Sequence, residues 1–376
     1  MTRTSRIGVP KEIKVQEHRV GLVPSAAADL VRSGHEVVVQ AGAGLGSSYP
    51  DDEYESAGAV IVATAAEVFD RAGLIVKVKE PQPAEIAMLR PHHVLFTYLH
   101  LAASKPLTEG LLDSGCTAIA YETVRVGHRL PLLEPMSEVA GRMAPIVGSY
   151  HLAKQCGGRG VLLGGVPGAA RGRVVVIGGG TAGWNAARVA LGIGGDVTIL
   201  EVDFDRIRFL HTTLNGAHVL YSTPASLAGL LPQADLLIGA VLVPGAAAPK
   251  VVTREMLRTM RPGAVLVDIA VDQGGCAETT RPTTHEHPTY VEEGVVHYCV
   301  ANMPGAFART ATEALGIATH RWTLLLADQG VGGACRMRPE FLGGINCVAG
   351  QLTCAPVGEA HGIPVVDAAA MVAGME

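Results

Sequence analysis

The chain has 376 residues, enough for two domains with substantial cores. Its net charge is −5, with 48% hydrophobic and 17% charged residues, and no block rich in Lys or Arg occurs. That balance excludes nucleic acid and anionic membrane as expected partners. The seven cysteines are odd in number and scattered, with no C-x-x-C pair. They read as reduced thiols rather than as a disulfide framework or a zinc site. No apolar stretch reaches membrane-spanning length, and the first residues lack the apolar core of a signal peptide. A cytoplasmic protein is expected. With 46 glycines and only 4% aromatic residues, the composition suits an α/β protein of many tight turns whose cores rest on Val, Leu, Ile and Ala.

From Arg6 to Tyr121 short apolar runs alternate with helix-like segments. Candidate strands are Arg6–Val9, Glu36–Gln40, Val60–Val62, Leu74–Val78, Val94–Tyr98 and Ala118–Ala120. Candidate helices are Pro24–Ser33, Asp51–Ala57, Ala65–Ala72 and Leu107–Ser114. Pro24 suits a first helical turn, and Gly34 suits the end of that helix. The alternation predicts a largely parallel, doubly wound sheet. The glycines of Ala41–Gly46 are not spaced for a phosphate loop, and this stretch is read as a connection. Met136–Cys156 is a long helical candidate with Ser137 as its N-cap, followed by a glycine-rich connection to Arg171.

A denser pattern begins at Arg173. The apolar run Val174–Ile177 leads into Gly178, Gly180 and Gly183, in G-x-G-x-x-G spacing. A helical segment Trp184–Leu191, a glycine breaker and a second apolar run Val197–Leu200 follow, ending on Glu201, 23 positions after Gly178. The first glycine permits a sharp turn off the strand. The second lets a pyrophosphate approach the main chain, and the third lets the helix pack against the sheet. An acid at that distance accepts hydrogen bonds from the adenosine ribose. It would repel a 2′-phosphate, so the expected coenzyme is NAD rather than NADP. Further strands are predicted at Ala217–Tyr221, Leu236–Ala240, Ala264–Ile269 and Val295–Val300, which makes six, the number a full dinucleotide fold requires. After Pro304 a helix is predicted over Thr310–Ala327, and the tail from Cys335 reads as irregular. The fold class expected is α/β with two doubly wound domains. A Rossmann NAD-binding domain (132–306) is inserted in a Rossmann-like substrate domain (1–131, completed by 307–376).

Ligands of open α/β sheets bind beyond the carboxyl ends of the strands. In the first domain that rule selects Lys79, Glu80 and His100. In the second it selects the apolar turn Val241–Leu242–Val243–Pro244–Gly245, then Asp272, then Asn302 with Met303 and Pro304. Such a set suits amino-acid oxidation across a crevice whose edges supply Lys79, His100, Asp272 and Asn302. A cation holds the substrate carboxylate. His100 is the natural proton acceptor, since histidine is the side chain that titrates near neutral pH unperturbed. Asp272 orients water or stabilises a developing iminium, and the nicotinamide takes the hydride. His285 and His287, between Pro282 and Pro288, offer no obvious third ligand, and a surface loop is expected there instead of a metal site. Cys347 and Cys354 read as packing.

The stretches GVPKEIKVQEHRVGLVP, VKVKEP, LFTYLHLAAS, AIAYETV, PLLEPMSEVAGRMA, VVVIGGGTAGWNAARVA, DLLIGAVLVPGAAAPK, PGAVLVDIAVDQGGC and YCVANMPGA, in this order, resemble the bacterial alanine dehydrogenases from Arg6 to about Thr323. The resemblance implies reversible oxidative deamination of L-alanine to pyruvate and ammonia with NAD. It implies that Arg19 and Lys79 bind the substrate carboxylate and carbonyl, that His100 is the acid/base residue and Asp272 the second catalytic group. It further implies that Met136 and Asn302 line the substrate pocket, and that Ser137, Glu201, Arg206, Ser222, Val241, Leu242, Asn302 and Met303 contact NAD. A homohexamer is implied as well. Glu201 stands where the family usually has Asp, and the sequence after Thr310 departs from the family pattern. Two other readings stay open: an NAD-dependent dehydrogenase of another small amino or imino acid, and a catalytically silent NAD(H)-binding subunit of the transhydrogenase type.

Overall fold

The computed structural model describes residues 4–243 and 247–375. Two compact units emerge, one formed by Met1–Met136 with Gly305–Glu376 and the other by Ser137–Val243 with Ala247–Pro304.

The first unit is built on one sheet. Its strand order is Gln351–Leu352, Ile345–Val348, Thr117–Ala120, Val94–Thr97, Leu74–Val76, Arg6–Val9, Glu36–Gln40 and Val60–Val62. The six strands from the N-terminal half are mutually parallel, with Ile7 opposite both Val37 and Leu74. Numbered along the chain they run 3-2-1-4-5-6, the order of a doubly wound nucleotide fold. Helices cover both faces, so the central strands are apolar on both sides, as in Leu74-Ile-Val. Ile7, Val37, Val76 and Phe96 pack on one face against Leu315 and Trp322. Val38, Ile75, Leu95 and Ala118 pack on the other against Val68, Phe69 and Leu111.

The tail departs from the irregular reading. Ile345–Val348 pairs antiparallel with Thr117–Ala120, and Gln351–Leu352 closes a hairpin on it. Two short helices follow, Ala355–His361 and Ala368–Val372. The helix after Pro304 is also longer than predicted. It spans Ala308–Met337, with its helical backbone interrupted at Gly330 (φ 65°, ψ −177°).

The second unit carries a sheet in the order Thr289–Glu292, Val295–Tyr298, Val265–Asp268, Leu236–Gly239, Arg173–Ile177, Asp196–Glu201 and His218–Tyr221. Six of these strands are the predicted ones and again follow 3-2-1-4-5-6. Thr289–Glu292 is an unpredicted antiparallel edge strand on Val295–Tyr298. The helix expected from Met136 begins earlier, at Glu134, and ends at His151; Lys154–Cys156 forms a separate 3-10 turn. Pro135, its second residue, is tolerated in a first turn. Ser137 therefore lies inside the helix, and its predicted N-cap role is overturned. Among the described residues, no helix is long and apolar enough to cross a membrane.

Candidate active site

In the first unit the order of the strands reverses between Arg6–Val9 and Leu74–Val76, and ligands of such sheets bind at that switch point. The chain leaving Arg6–Val9 carries Glu12, Glu17 and Arg19. The chain leaving Leu74–Val76 carries Lys77, Lys79 and Glu80. The next two strands lead to His100 and to Glu122.

Arg19 is buried, at 2% exposure. Its Nε donates to Glu17 Oε1 at 2.7 Å and its Nη2 to Glu17 Oε2 at 2.6 Å, a bidentate pair. Nη1 lies 3.0 Å from the sulfur of Met136, which places two of the predicted substrate residues side by side. Burial pushes the Glu17 carboxyl up, but the Arg19 charge and hydrogen bonds, with Lys79 beyond, outweigh it and hold it at about 2. Lys79 is also buried. The neighbouring Glu80, ion-paired with Lys14, lies below the usual carboxylate range: burial raises it, and Lys79, Lys14 and His100 together lower it further. Glu17 thus feels both Arg19 and Lys79, while Glu80 feels both Lys79 and His100. The three predicted residues share one network of charge.

His100 takes a left-handed backbone (φ 51°, ψ 40°), uncommon for a residue with a Cβ. The buried carboxylate of Glu122 holds it there. Oε1 accepts the His100 N–H at 2.6 Å and the Leu99 N–H at 3.1 Å, and lies 3.8 Å from His100 Nδ1. The His100 ring stacks on Tyr98 at 5.9 Å with planes 2° apart, and the Tyr98 hydroxyl donates to the Leu132 carbonyl.

In the second unit the glycine loop has the geometry its spacing predicts. Gly178 adopts φ 89°, where a side chain would strain the backbone. A Cβ on Gly183 would lie 1.8 Å from the Gly178 carbonyl oxygen, so the helix Thr181–Gly192 can approach the loop only without one. A Cβ on Gly180, which caps that helix, would meet nothing within 4 Å: this side of the loop is open. Glu201 Oε2 accepts the Gly179 N–H at 2.7 Å, and Oε1 accepts those of Val202 and Asp203 at 2.7 and 3.0 Å. Oε2, with one donor against the two of Oε1, keeps an acceptor site for a further bond. Arg206 Nε donates to the Gly179 carbonyl at 2.5 Å, and the Ser222 N–H donates to the Glu201 carbonyl at 2.9 Å. Glu201, Arg206 and Ser222 are therefore gathered at the loop. Val241 is half-buried and Leu242 exposed, directly after the strand Leu236–Gly239. Pro244 and Gly245 of that predicted turn lie outside the described residues.

Asp272 and Asn302 are joined. The Asp272 carboxylate accepts the Asn302 N–H at 3.0 Å, and Asn302 has φ 64°. Met303 beside it is buried. His285 Nε2 lies 3.4 Å from the Asn302 carbonyl, so one histidine of the predicted surface loop touches this turn while His287 is exposed. Among the described residues, no group of three or more His, Cys, Asp or Glu side chains could hold a metal ion. Asp268, nearer the strand end, is consumed structurally by the N–H groups of Ala270 and Cys276 and the Thr280 hydroxyl.

Sequence reasoning missed Glu12, Glu17 and Glu122. The strand-end rule that selected His100 also selects Glu122, since it follows Thr117–Ala120. Glu12 and Glu17 lie in an irregular stretch where no spacing announces their partners.

Two family models match in tandem: alanine dehydrogenase/PNT, N-terminal domain, over residues 8–140, and alanine dehydrogenase/PNT, C-terminal domain, over residues 144–355. The chain is 54% identical to an alanine dehydrogenase of Halomonas elongata, over 98% of this chain and 100% of that one. It is 51% identical to one from Mycobacterium tuberculosis, with the same shares covered. It is 50% identical to one from Bacillus subtilis, over 96% of each. These alignments run through most of the tail as well. A solved L-alanine dehydrogenase superposes with a TM-score of 0.88 at 48% identity, covering 94% of this chain and 98% of that one. A transhydrogenase from Sinorhizobium meliloti superposes at 0.77 with 26% identity, covering 93% and 99%.

Proposed function

The chain belongs to the alanine dehydrogenase/PNT family, and we infer that it is an NAD-dependent L-alanine dehydrogenase, interconverting L-alanine with pyruvate and ammonia. The observation that carries this is identity of 54% to an alanine dehydrogenase over 98% of the chain.

The glycine loop fits a dinucleotide. Its open face at Gly180, the close helix allowed by Gly183 and the turn at Gly178 suit a pyrophosphate against backbone N–H groups. Glu201 would accept the adenosine ribose hydroxyls, with Arg206 and Ser222 beside it. Ser137, Val241, Leu242, Asn302 and Met303 complete the NAD contacts. Bound NAD supplies the hydride acceptor at its nicotinamide ring.

The substrate-binding cations and the acid/base histidine fall to the first unit. Arg19 and Lys79, both buried, hold the alanine carboxylate and the oxygen that becomes the pyruvate carbonyl. Met136, against Arg19, shapes the apolar wall for the methyl group. His100 takes a proton from the substrate ammonium before the Cα hydride leaves and passes it to solvent; neutral again, it removes a proton from the water that adds to the resulting iminium carbon. In the second unit Asp272, hydrogen-bonded to the Asn302 backbone, is the second catalytic group, with the iminium charge and the attacking water as its targets, and Asn302 is a substrate-binding residue. His100 returns the water's proton to the amine of the carbinolamine, and as the hydroxyl proton passes back to the imidazole the C–N bond breaks to give pyruvate and ammonia. The unit carrying these cations is the substrate domain; the other is the NAD-binding domain. A homohexamer in the cytoplasm completes the reading, supported by the family resemblance and by cysteines that, among the described residues, are all free thiols.

Reductive amination tests the assignment. NADH consumption should require pyruvate and ammonium together. Consumption with pyruvate alone, or none with both, would contradict it.

A further inference from the structure

The strand Leu74–Val76 ends two residues earlier than the sequence predicts, and side chains replace the sheet beyond it. On one side the backbone still pairs with its neighbour: the Lys77 N–H donates to the Phe96 carbonyl and the Tyr98 N–H to the Val78 carbonyl. On the other side, where Arg6–Val9 has already ended, the carboxylate of Glu12 takes the place of a strand. Its Oε1 accepts the Val78 N–H at 2.6 Å and the Lys79 N–H at 3.4 Å. Its Oε2 accepts from Lys77 Nζ at 2.9 Å.

Lys77 has no exposed surface and reaches a second buried carboxylate, Glu85 Oε1, at 2.6 Å. Glu85 is fixed in turn, its Oε2 accepting the Gln82 N–H at 2.8 Å at the start of the helix Pro83–Ile86. Two hydroxyls secure the carbonyls: Tyr121 donates to Lys77 O and Thr97 to Lys79 O, both at 3.0 Å. Every peptide group from Lys77 to Lys79 has a partner, and one carboxylate serves two of the N–H groups.

A buried cation between two buried carboxylates is a poor way to gain stability, because desolvation offsets most of the attraction and apolar residues of similar volume do as well or better. Its worth lies in fixing a geometry. The segment it fixes is the one that carries Lys79, a buried ammonium assigned to a substrate oxygen. We propose that Glu12, locked by Lys77 and Glu85, is a positioning residue for Lys79: it sets the backbone from which that ammonium projects and so sets affinity for the oxo acid. The inference rests on the substrate-binding reading of Lys79.

A double-mutant cycle tests it. Pyruvate and NADH kinetics are compared for the wild type, Glu12→Ala, Lys79→Ala and the double variant, with Glu12→Gln as the conservative control. Glu12→Ala should raise the pyruvate KM roughly 10- to 100-fold, the scale of a small misplacement, and leave the NADH KM unchanged. Glu12→Gln, which keeps an oxygen acceptor for the two N–H groups, should recover most of that loss. In the Lys79→Ala background, Glu12→Ala should change the pyruvate KM less than about twofold, within ordinary non-additivity error. Equal effects in both backgrounds, or equal shifts in both KM values, would overturn the proposal while leaving Lys79 in its role. A Lys79→Ala variant with an unchanged pyruvate KM would remove the reading of Lys79 and the proposal with it. Where Glu12→Ala does not fold, Glu12→Gln carries the cycle: its residual KM shift should vanish in the Lys79→Ala background, and persistence would overturn the proposal.

Discussion

Glu122 grips His100 by its backbone. One carboxylate oxygen accepts the His100 N–H at 2.6 Å and stands 3.8 Å from the ring Nδ1 of the same residue. The left-handed backbone at His100 costs about 1–2 kcal/mol for a residue with a Cβ. Something must hold it, and the Glu122 carboxylate, which also takes the Leu99 N–H, does so. Glu122→Ala leaves both N–H groups without that acceptor. It should cost about 2–5 kcal/mol, while Glu122→Gln should cost about 1 kcal/mol. Denaturant unfolding of the two variants checks the order.

The third glycine of the loop tolerates no side chain. A Cβ on Gly183 would sit 1.8 Å from the Gly178 carbonyl, so Gly183→Ala must push the helix Thr181–Gly192 off the loop. NAD binding should fall at least about 100-fold, or the unit should fail to fold. Gly180→Ala, where a Cβ meets no protein atom, should fold normally and weaken NAD alone. Calorimetric titration with NAD, beside a melting curve, separates the two.

Coenzyme choice rests on the Glu201 charge. Loss of hydrogen bonds from a ribose to a carboxylate is worth about 1.5–3 kcal/mol, roughly 10- to 150-fold in NAD affinity. Glu201→Gln should therefore raise the NAD KM and narrow the gap between NAD and NADP, because the repulsion toward a 2′-phosphate is gone. Glu201→Ala should in addition lose stability, since the N–H groups of Gly179, Val202 and Asp203 lose their acceptor. Steady-state kinetics with both coenzymes provide the check.

The Glu17–Arg19 pair makes stability depend on acid. Glu17 lies at about 2 in the folded protein against an ordinary 4.5, so the unfolded chain binds the proton more readily. A depressed carboxyl contributes its full stabilisation above the unfolded value and loses it as pH falls toward the folded one. Unfolding free energy should thus drop as pH is lowered from 4.5 toward 2. Glu17→Gln should flatten that slope while being less stable at pH 7, where Arg19 loses its bidentate partner. Urea unfolding across this range measures both.

The two sheets were readable because their strands are short apolar runs between turn residues, and that pattern survives any packing detail. The strand Ile345–Val348 escapes because four residues between Gly343–Gly344 and Ala349–Gly350 carry no periodic signal; only pairing with Thr117–Ala120 makes them a strand. Thr289–Glu292, beside Pro288, has an exposed edge and no continuous apolar run. Ser137 has the side chain of a cap, but the helix opens three residues earlier, at Glu134, with Pro135 in its first turn. Among site residues, the strand-end rule reached Lys79, His100, Asp272 and Asn302. It does not reach Arg19, which lies ten residues beyond its strand, nor Glu12 and Glu17, which lie in the same irregular stretch; Glu122 does follow a strand end, but its partner His100 comes from 22 residues earlier in the chain.

The most direct measurement is NADH formation from NAD with a panel of L-amino acids, for the wild type and for His100→Ala. L-alanine should be the preferred substrate, and the variant should lose about 10²- to 10⁴-fold in kcat/KM, the scale of general acid–base catalysis. Turnover confined to another amino acid, or a variant as fast as the wild type, would contradict the account.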